Sequence, residues 1–398
     1  MASIAPEDPP AAAAAAAAAS SAASPLPSAK LAKQIEQREA WAATKKAFDE
    51  WLALTPEEAL EPELEIVDPH HHLWDMRALK GFNFLGLMRQ QLYLTDELLD
   101  DMVGGGHNVT HTVYAEAHSF HNADVEDKVM APLGEVQAAQ GVAAQFASGS
   151  YGPLRAAAGI VGTADLAKYG AGAAPLLEAC KAQCPNFRGV RCTAAYDERL
   201  GKPQFLDRPG LYKEATFREG FALLEAHGLS FDAWCFSAQL GDVLDLALAF
   251  PGTTIVLNHC GTPVGGLGPH SGVAEYEGKE EEIMAEWRAN MARIAAECPN
   301  VCVKVGAGGF PHVGAGFNKR EKAPTSEEVA ETFKSVYLYV IETFGCDRCM
   351  FEGNFPVDKV SMSYTVLWNA FKRITADFPT EDRAKLFSGT AKRVYRLG

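Results

Sequence analysis

The stretch with the richest potential chemistry is VDPHHHLWD, residues 67–75, in which three consecutive histidines follow a short apolar run. Side chains alternate between the two faces of a β-strand, so the pattern predicts that Asp68, His70 and His72 share one face and His71 the other. Two imidazoles spaced i, i+2 at the end of a strand can bind one metal ion together. The stretch therefore predicts a metal or catalytic site, with a structural pair of polar side chains at a turn as the alternative.

The chain that must position these histidines has 398 residues, of which 47% are hydrophobic, enough for one large α/β domain with a full core. Residues 1–29 are rich in alanine, serine and proline and lack the side chains that build a core, so we expect a disordered tail. Residues 30–63 have the spacing of an amphipathic helical extension. Residues 64–398 then form the domain.

The net charge of −15 narrows the classes of partner. A chain this acidic repels nucleic acid and anionic lipid, and it contains no apolar run of about 18 residues that would span a membrane. Any anionic substrate, such as a small organic acid, must therefore be captured locally by arginine, and a homo-oligomer stays open.

The cysteines and the tail bear on the compartment. Nine cysteines, an odd number scattered through apolar surroundings, predict reduced thiols in a cytoplasmic enzyme. Cys346-x-x-Cys349 lacks the second pair that a zinc ribbon needs, which favours buried thiols. Glu7 and Asp8 argue against a secretory signal in the tail, whereas plastid targeting stays open.

Eight short apolar runs follow residue 63 and alternate with segments of helical spacing. They are LEIVD, NVTHTVYAEA, AAAGIVG, FRGVRC, LSFDAWCF, TTIVLNHCG, VCVKVGAG and CMFEGNFP. Strand–helix alternation predicts a parallel sheet, and eight units over this length predict a (β/α)8 TIM barrel with its site on the loops after the strands. An open doubly wound sheet is the alternative, but it needs a glycine-rich turn after the first strand, where this chain has DPHHHLW.

The motif VDPHHHLWD resembles the first-strand signature of the amidohydrolase superfamily. The resemblance is to the amidohydrolase-related group that includes lactone hydrolases and, more distantly, metal-dependent decarboxylases. VYAEA, FRGVR, IVLNHCGTP, VCVKVGAG and FEGNFPVDK support it, in the expected order between residues 64 and 360.

The resemblance implies the members of the site. It places His70 and His72 at a metal or substrate centre, with Glu116 beside them from the second strand and His259 opposite from the sixth. These four are the expected metal ligands, and the expected cofactor is one divalent metal ion, zinc, with a metal-free enzyme as the alternative.

Four further residues are candidates for contacting the substrate. Arg188 and Arg191 lie on the fourth strand, and alternation favours Arg191 to face inward and grip a carboxylate bidentately. Gln239 lies in the turn after the fifth strand. His312 lies in the long glycine-rich loop after the seventh strand, which could serve as a lid.

The chain departs from the family that it resembles in two places. Relatives usually carry aspartate at the end of the eighth strand, where this chain has Asn354, and asparagine cannot act as a base. Many relatives carry histidine in the turn after the fifth strand, where this chain has Ser237 and Gln239. A two-metal site is therefore not expected, and the usual base is missing.

Other groups could carry the proton. Glu352 precedes Asn354 by two residues on the same face, although a buried ion pair with Lys304 is an alternative role for it. Asp358 lies in the following loop, where we expect it to be more exposed and able to reach the site. His259 is the preferred base, because a neutral imidazole is competent near pH 7.

These features predict a hydrolase of a small carboxylated lactone or related cyclic ester, with water activated at a histidine-based, mononuclear metal centre. The first alternative is a metal-dependent decarboxylase of an aromatic or dicarboxylic acid on the same scaffold. The second is a non-catalytic protein that binds a small molecule.

Overall fold

The computed structural model describes residues 29–77, 90–200 and 206–398. Eight of its strands form one parallel sheet in sequential order. We number them β1 to β8: Glu65–His71, Asn108–Ala115, Arg155–Thr163, Phe187–Thr193, Ser230–Trp234, Ile255–Leu257, Val301–Val305 and Cys349–Phe351. Each lies within or overlaps one of the predicted runs.

The sheet closes on itself where β1 meets the end of β8. The backbone N–H of Asn354 donates to the carbonyl of His70, and the N–H of His72 donates to the carbonyl of Phe355, both at 2.8 Å. His71 and Phe355 also form a parallel bridge. The (β/α)8 barrel is therefore confirmed, and the open sheet is wrong.

Helices surround the barrel and extend its two ends. They are α1 Ala29–Leu52, α2 Thr95–Met102, α3 Leu133–Ala147, α4 Leu166–Tyr169, α5 Ala174–Gln183, α6 Ala215–Phe221, α7 Leu223–His227, α8 Leu240–Ala249, α9 Glu280–Glu297, α10 Ser326–Phe344, α11 Tyr364–Ile374, α12 Thr380–Ala384 and α13 Thr390–Tyr395. Pro132 occupies the N-cap position of α3. Across the described ranges, none of these helices is both long and apolar enough to cross a bilayer.

The helix expected before the barrel is α1, which packs on the loop after β7. Phe48 and Leu52 contact Ala323, and the Thr55 hydroxyl donates to the Ala323 carbonyl at 2.7 Å. The predicted disordered tail lies outside the described residues except for Ala29, and it stays a prediction.

The interior of the barrel is built in layers, as the alternation of side chains requires. The deepest layer is apolar and combines one residue from each of six strands with the end of the chain: Val67, Val113, Val161, Val256, Cys302 and Met350, with Ala391, Val394, Tyr395 and Leu397. The segment from α13 onward therefore fills the amino-terminal opening of the barrel.

A register shift in β1 decides which side chains of the histidine stretch face inward. Val67 belongs to the interior layer, and His70 contacts interior groups from β4 and β7, although strict alternation forbids both. The shift between Asp68 and His71 supplies the extra residue. Asp68 consequently faces outward and accepts hydrogen bonds from the Tyr364 hydroxyl of α11 at 3.0 Å and from backbone N–H groups. The predicted common face of Asp68 and His70 is wrong.

Candidate active site

Two histidines from the end of β1 present ring nitrogens to each other. His72 Nδ1 lies 2.9 Å from the Ala115 carbonyl. A carbonyl only accepts, so Nδ1 carries the hydrogen and Nε2 keeps its lone pair. His70 Nε2 lies 3.2 Å from His72 Nε2. Two nitrogens on one tetrahedral zinc ion are separated by roughly 3.4 Å, so this spacing suits a pair of metal ligands.

A third histidine is held beside this pair by a carboxylate. The backbone N–H of His259 donates to Glu352 Oε1 at 3.0 Å, and its Nδ1 lies 2.8 Å from the same oxygen. The hydrogen therefore lies on Nδ1, and Nε2 of His259 has a free lone pair. The ring centroid lies 4.7 Å from that of His70. Within the described ranges, His70, His259 and Glu352 form a group whose ligand atoms lie within 4.8 Å of one another.

His70 Nδ1 lies between two groups of opposite character. Glu352 Oε2 is 2.9 Å away, at an angle that does not make a hydrogen bond, and Lys304 Nζ is 3.3 Å away. With its hydrogen on Nδ1, His70 turns toward Glu352 and offers Nε2 to a metal. With its hydrogen on Nε2, it accepts from Lys304 and donates to His72. Glu352 Oε2 is buried and accepts no hydrogen bond from the described residues, so it can compensate the charge of a cation bound beside it.

Burial keeps these imidazoles neutral. It lowers the pKa of His70, His72 and His259 well below the ordinary value. The positive charge of Arg191 lowers all three further, and that of Lys304 lowers the pKa of His70 and His259. A neutral imidazole is the form that binds a metal or accepts a proton.

The carboxylate of Glu116 is occupied by Arg191. Arg191 Nε donates to Glu116 Oε1 at 2.7 Å, and Nη2 donates to the Glu116 carbonyl at 2.6 Å. Burial alone would raise the pKa of Glu116, but Arg191 and His118 hold it at about 2. The third nitrogen, Nη1, lies 3.2 Å from His70 Nε2. The expected metal ligand Glu116 is thus paired with a cation. Arg191 uses two nitrogens on Glu116 and contacts His70 with the third, so it has no free pair of nitrogens for the expected bidentate grip on a carboxylate.

A layer of buried charges lies between the histidines and the apolar plug, which is the apolar interior layer that includes the last residues of the chain. Lys304 Nζ donates to Asp232 Oδ2 at 2.7 Å, and both side chains are fully buried. Asp232 also accepts from Asn258 Nδ2 and from the Tyr395 hydroxyl, each at 3.0 Å. The expected Lys304–Glu352 ion pair is therefore wrong, since the lysine pairs with the aspartate of β5.

Asn354 is fixed by the loop that follows it. Its Nδ2 donates to Asp358 Oδ1 at 2.8 Å, while Asp358 Oδ2 accepts from Gly309 N–H at 2.9 Å. Asp358 is fully buried, not exposed, and burial raises its pKa to about 8. Asn354 Oδ1 is buried with no donor within the described part of the chain, so Asn354 keeps an acceptor for a ligand.

A family model described as amidohydrolase matches residues 67–397, most of the chain. The chain belongs to the amidohydrolase family. A relative from Sinorhizobium fredii, the uncharacterized protein y4mH, is 32% identical over 345 residues, which cover 84% of this chain and 99% of the relative.

Other relatives of this amidohydrolase are more distant. The L-fucono-1,5-lactonase of Burkholderia multivorans is 26% identical over 185 residues, which cover 46% of this chain and 57% of that enzyme. A zinc-bound amidohydrolase from the same organism has a TM-score of 0.61 at 22% identity, with 84% of this chain and 99% of that chain covered. A candidate 2-pyrone-4,6-dicarboxylic acid hydrolase from Pseudomonas putida has a TM-score of 0.54 at 15% identity, with 84% and 98% covered. These two structures support the fold.

Three residues predicted to contact the substrate are engaged elsewhere in the amidohydrolase. Arg188 lies at the start of β4, where its Nε donates to the Tyr395 carbonyl at 2.8 Å, so it holds the chain end instead of a substrate. Gln239 bridges backbone groups of Phe236 and Tyr196. His312 Nδ1 donates to the Ser271 carbonyl at 2.7 Å and leaves a buried Nε2 without a partner among described residues. His312 therefore keeps Nε2 for a ligand.

The sequence reasoning missed Asp232 and Tyr395. A signal existed for Asp232, because a carboxylate inside the apolar run LSFDAWCF must find a buried partner, as must Lys304 inside VCVKV. Nothing in the sequence indicated that Tyr395, more than 160 positions from Asp232, would complete the pair.

Proposed function

We propose that this amidohydrolase hydrolyses a small carboxylated lactone or related cyclic ester, with water activated at a histidine centre that holds one divalent ion, zinc. The observation that carries the proposal is the His259–Glu352 pair, which stands beside the facing Nε2 atoms of His70 and His72. The similarity to a lactonase and the zinc in a structural neighbour favour this ester chemistry and this ion.

His70 and His72 would hold the ion through Nε2, and the buried, unpartnered Glu352 Oε2 would compensate its charge from behind. A bound divalent ion polarises a carbonyl and lowers the pKa of water. The protein fixes the ligands in advance, since the Ala115 carbonyl holds the His72 tautomer and Glu352 lies against His70 Nδ1.

His259 takes the proton of the attacking water in this proposal. Its Nε2 carries the lone pair, because its Nδ1 hydrogen is directed at Glu352, as a base is oriented by a carboxylate in other hydrolases. Burial raises the pKa of Glu352 to about 8, against the opposing effect of Lys304. Glu352 Oε1 contacts both the backbone N–H and Nδ1 of His259, so it fixes the orientation of the ring and is a positioning residue behind the base.

Arg191 would hold the substrate carboxylate through Nη1 alone, because its other two nitrogens are bound to Glu116. That single contact is directional and desolvated, since the Arg191 side chain is 5% exposed. Asn354 Oδ1 would accept a hydrogen bond from a substrate hydroxyl or from the water.

The test combines metal analysis with a panel of carboxylated and sugar-derived lactones. His72→Ala should abolish bound zinc and lower turnover at least about 1000-fold, because one ligand of the centre is lost. His111→Ala is the matched control: His111 is a half-buried histidine on β2 whose Nδ1 contacts Thr110, and it should retain both zinc and activity.

Three outcomes would oppose the proposal. Full turnover in metal-free protein would remove the ion and leave the histidines as donors to the substrate. Release of carbon dioxide from a carboxylic acid without lactone hydrolysis would replace it by the decarboxylase alternative. Tight ligand binding with no turnover on any substrate would favour a binding protein.

A further inference from the structure

A chain of hydrogen bonds joins the end of the polypeptide to the histidine centre. The Tyr395 hydroxyl lies 3.0 Å from both carboxylate oxygens of Asp232, and Asp232 Oδ2 accepts from Lys304 Nζ at 2.7 Å. Lys304 Nζ then lies 3.3 Å from His70 Nδ1. Every member of this chain is fully buried. The last helix of the protein therefore reaches the candidate metal ligand in three steps.

The location of Lys304 matters because it competes with Glu352 for one atom. Both groups approach His70 Nδ1, and only the tautomer with hydrogen on Nδ1 leaves Nε2 free for a metal. Asp232 Oδ2 lies 2.7 Å from Lys304 Nζ, which is 0.6 Å shorter than the distance from Nζ to His70 Nδ1. A lysine that moved toward His70 would favour the wrong tautomer.

Tyr395 determines how firmly Asp232 can hold the lysine. The carboxylate has two other donors in the described protein, Lys304 and Asn258, and both contact Oδ2. Tyr395 is thus the donor for Oδ1, and its ring also lies under the ammonium group, with Nζ 5.2 Å from the centroid. Without the hydroxyl, the carboxylate can rotate about its remaining contacts and take the lysine with it.

We propose that Tyr395 is a positioning residue of the active site: through Asp232 and Lys304 it holds His70 in the orientation that binds the metal and supports turnover. The inference rests on the proposed hydrolytic function for its kinetic consequence. Its consequence for metal binding stands apart from any choice of substrate.

A second group of the same composition provides a matched control. The Tyr93 hydroxyl donates to Asp101 at 2.9 Å, and Asp101 accepts from Lys359 Nζ at 2.7 Å. Lys359 lies 5.9 Å from the Tyr93 ring centroid. Tyr93 is also fully buried, but none of the hydrogen bonds that the described residues make with Lys359 leads to a histidine. Removing either hydroxyl deletes the same interaction, and only one deletion reaches the centre.

The experiment compares Tyr395→Phe with Tyr93→Phe in the full-length protein. Zinc affinity is measured by titrating zinc sulfate against a competing chelator, and kcat and KM are measured on the best lactone of the panel. We expect Tyr395→Phe to weaken zinc binding and to lower kcat, each about 10-fold, with little change in KM. Tyr93→Phe should leave zinc affinity and kcat within about two-fold of wild type, although both variants melt at lower temperature than wild type.

Equal zinc affinity and kcat in the two variants would overturn the inference. If wild type binds zinc but hydrolyses no lactone, the proposed function fails and zinc affinity alone decides the role of Tyr395. If wild type hydrolyses a lactone without zinc, kcat alone decides the role of Tyr395. If wild type does neither, both proposals fail. Should Tyr395→Phe not fold, Arg188→Lys takes its place in the comparison, because Arg188 holds the carbonyl of the same residue.

Discussion

The two ends of this barrel have different chemical environments. At the amino-terminal end, apolar side chains such as Val67 and Met350 pack against the last residues of the chain. At the carboxyl end, three buried oxygens accept no hydrogen bond from the described residues: Glu116 Oε2, Glu352 Oε2 and Asn354 Oδ1. The amino-terminal end is closed by apolar packing, whereas the carboxyl end keeps hydrogen-bond acceptors that a ligand can use.

This contrast indicates where stability and function lie. Unsatisfied buried polar atoms cost about 1–3 kcal/mol each, so a fold retains them only where something else stabilises the structure. The apolar plug is such a source, since filling the barrel with side chains removes them from water. Substitutions at the two ends should therefore affect different measurements.

Met350→Ala should have the largest effect and should act on stability. Deleting a fully buried methionine side chain from the plug leaves a cavity, and we expect a loss of about 2–5 kcal/mol in the free energy of unfolding. Urea denaturation measures this loss, and kcat of the folded fraction should stay within about three-fold. Met350→Leu conserves volume and should cost less than about 1.5 kcal/mol. A large fall in kcat with unchanged stability would erase the contrast between the two ends.

Asn354→Ala should have the opposite effect, on catalysis. Losing a positioned polar group should lower kcat about 10- to 1000-fold, which is measured on the lactone panel. The backbone of Asn354 has a φ of 51°, a left-handed conformation that alanine tolerates poorly, so Asn354→Gly is the control. Both variants should lose activity equally, and only alanine should lose about 1 kcal/mol of stability to strain. Activity retained by the glycine variant would show that the amide has no role.

Asp358→Asn should have a smaller effect that depends on pH. The pKa of Asp358 is raised to about 8 in the fold, while an unfolded aspartate has a pKa of about 3.9. Its contribution to stability is therefore complete below about pH 4 and is lost as pH rises through about 8. The asparagine variant lacks this titration, so its free energy of unfolding should fall less steeply between pH 5 and 8, by at most about 1.4 kcal/mol per pH unit. If the free energy of unfolding falls equally with pH in wild type and Asp358→Asn, the titration of Asp358 is not the cause of the pH dependence.

Exchanging the two side chains sharpens the same test. Asn354→Asp alone brings two carboxyl groups to the 2.8 Å contact, so it should destabilise the protein increasingly above pH 8. Asp358→Asn in the same chain restores one amide and one carboxylate, with the amide oxygen still able to accept from Gly309. The double variant should recover stability above pH 8 relative to Asn354→Asp.

The sequence alone determined the order of the strands and the end of the barrel where His70, His72 and His259 meet. Periodicity reports local burial, and each strand needs only its own residues to show it, which is why all eight were predictable. His70 and His259 followed from the resemblance to the family. The inward position of Arg191 followed from parity, since β4 pairs regularly with both neighbouring strands from Gly189 onward.

Only the tertiary structure decided which polar groups pair. The shift in β1 turned Asp68 outward. Lys304 pairs with Asp232 instead of Glu352, and Glu116, expected as a metal ligand, pairs with Arg191. Pairing depends on distances between residues far apart in the chain, and a buried charge pairs with whichever opposite charge the fold brings within reach. Tyr395 shows this most plainly, because its contact with Asp232 exists only once the end of the chain packs inside the barrel.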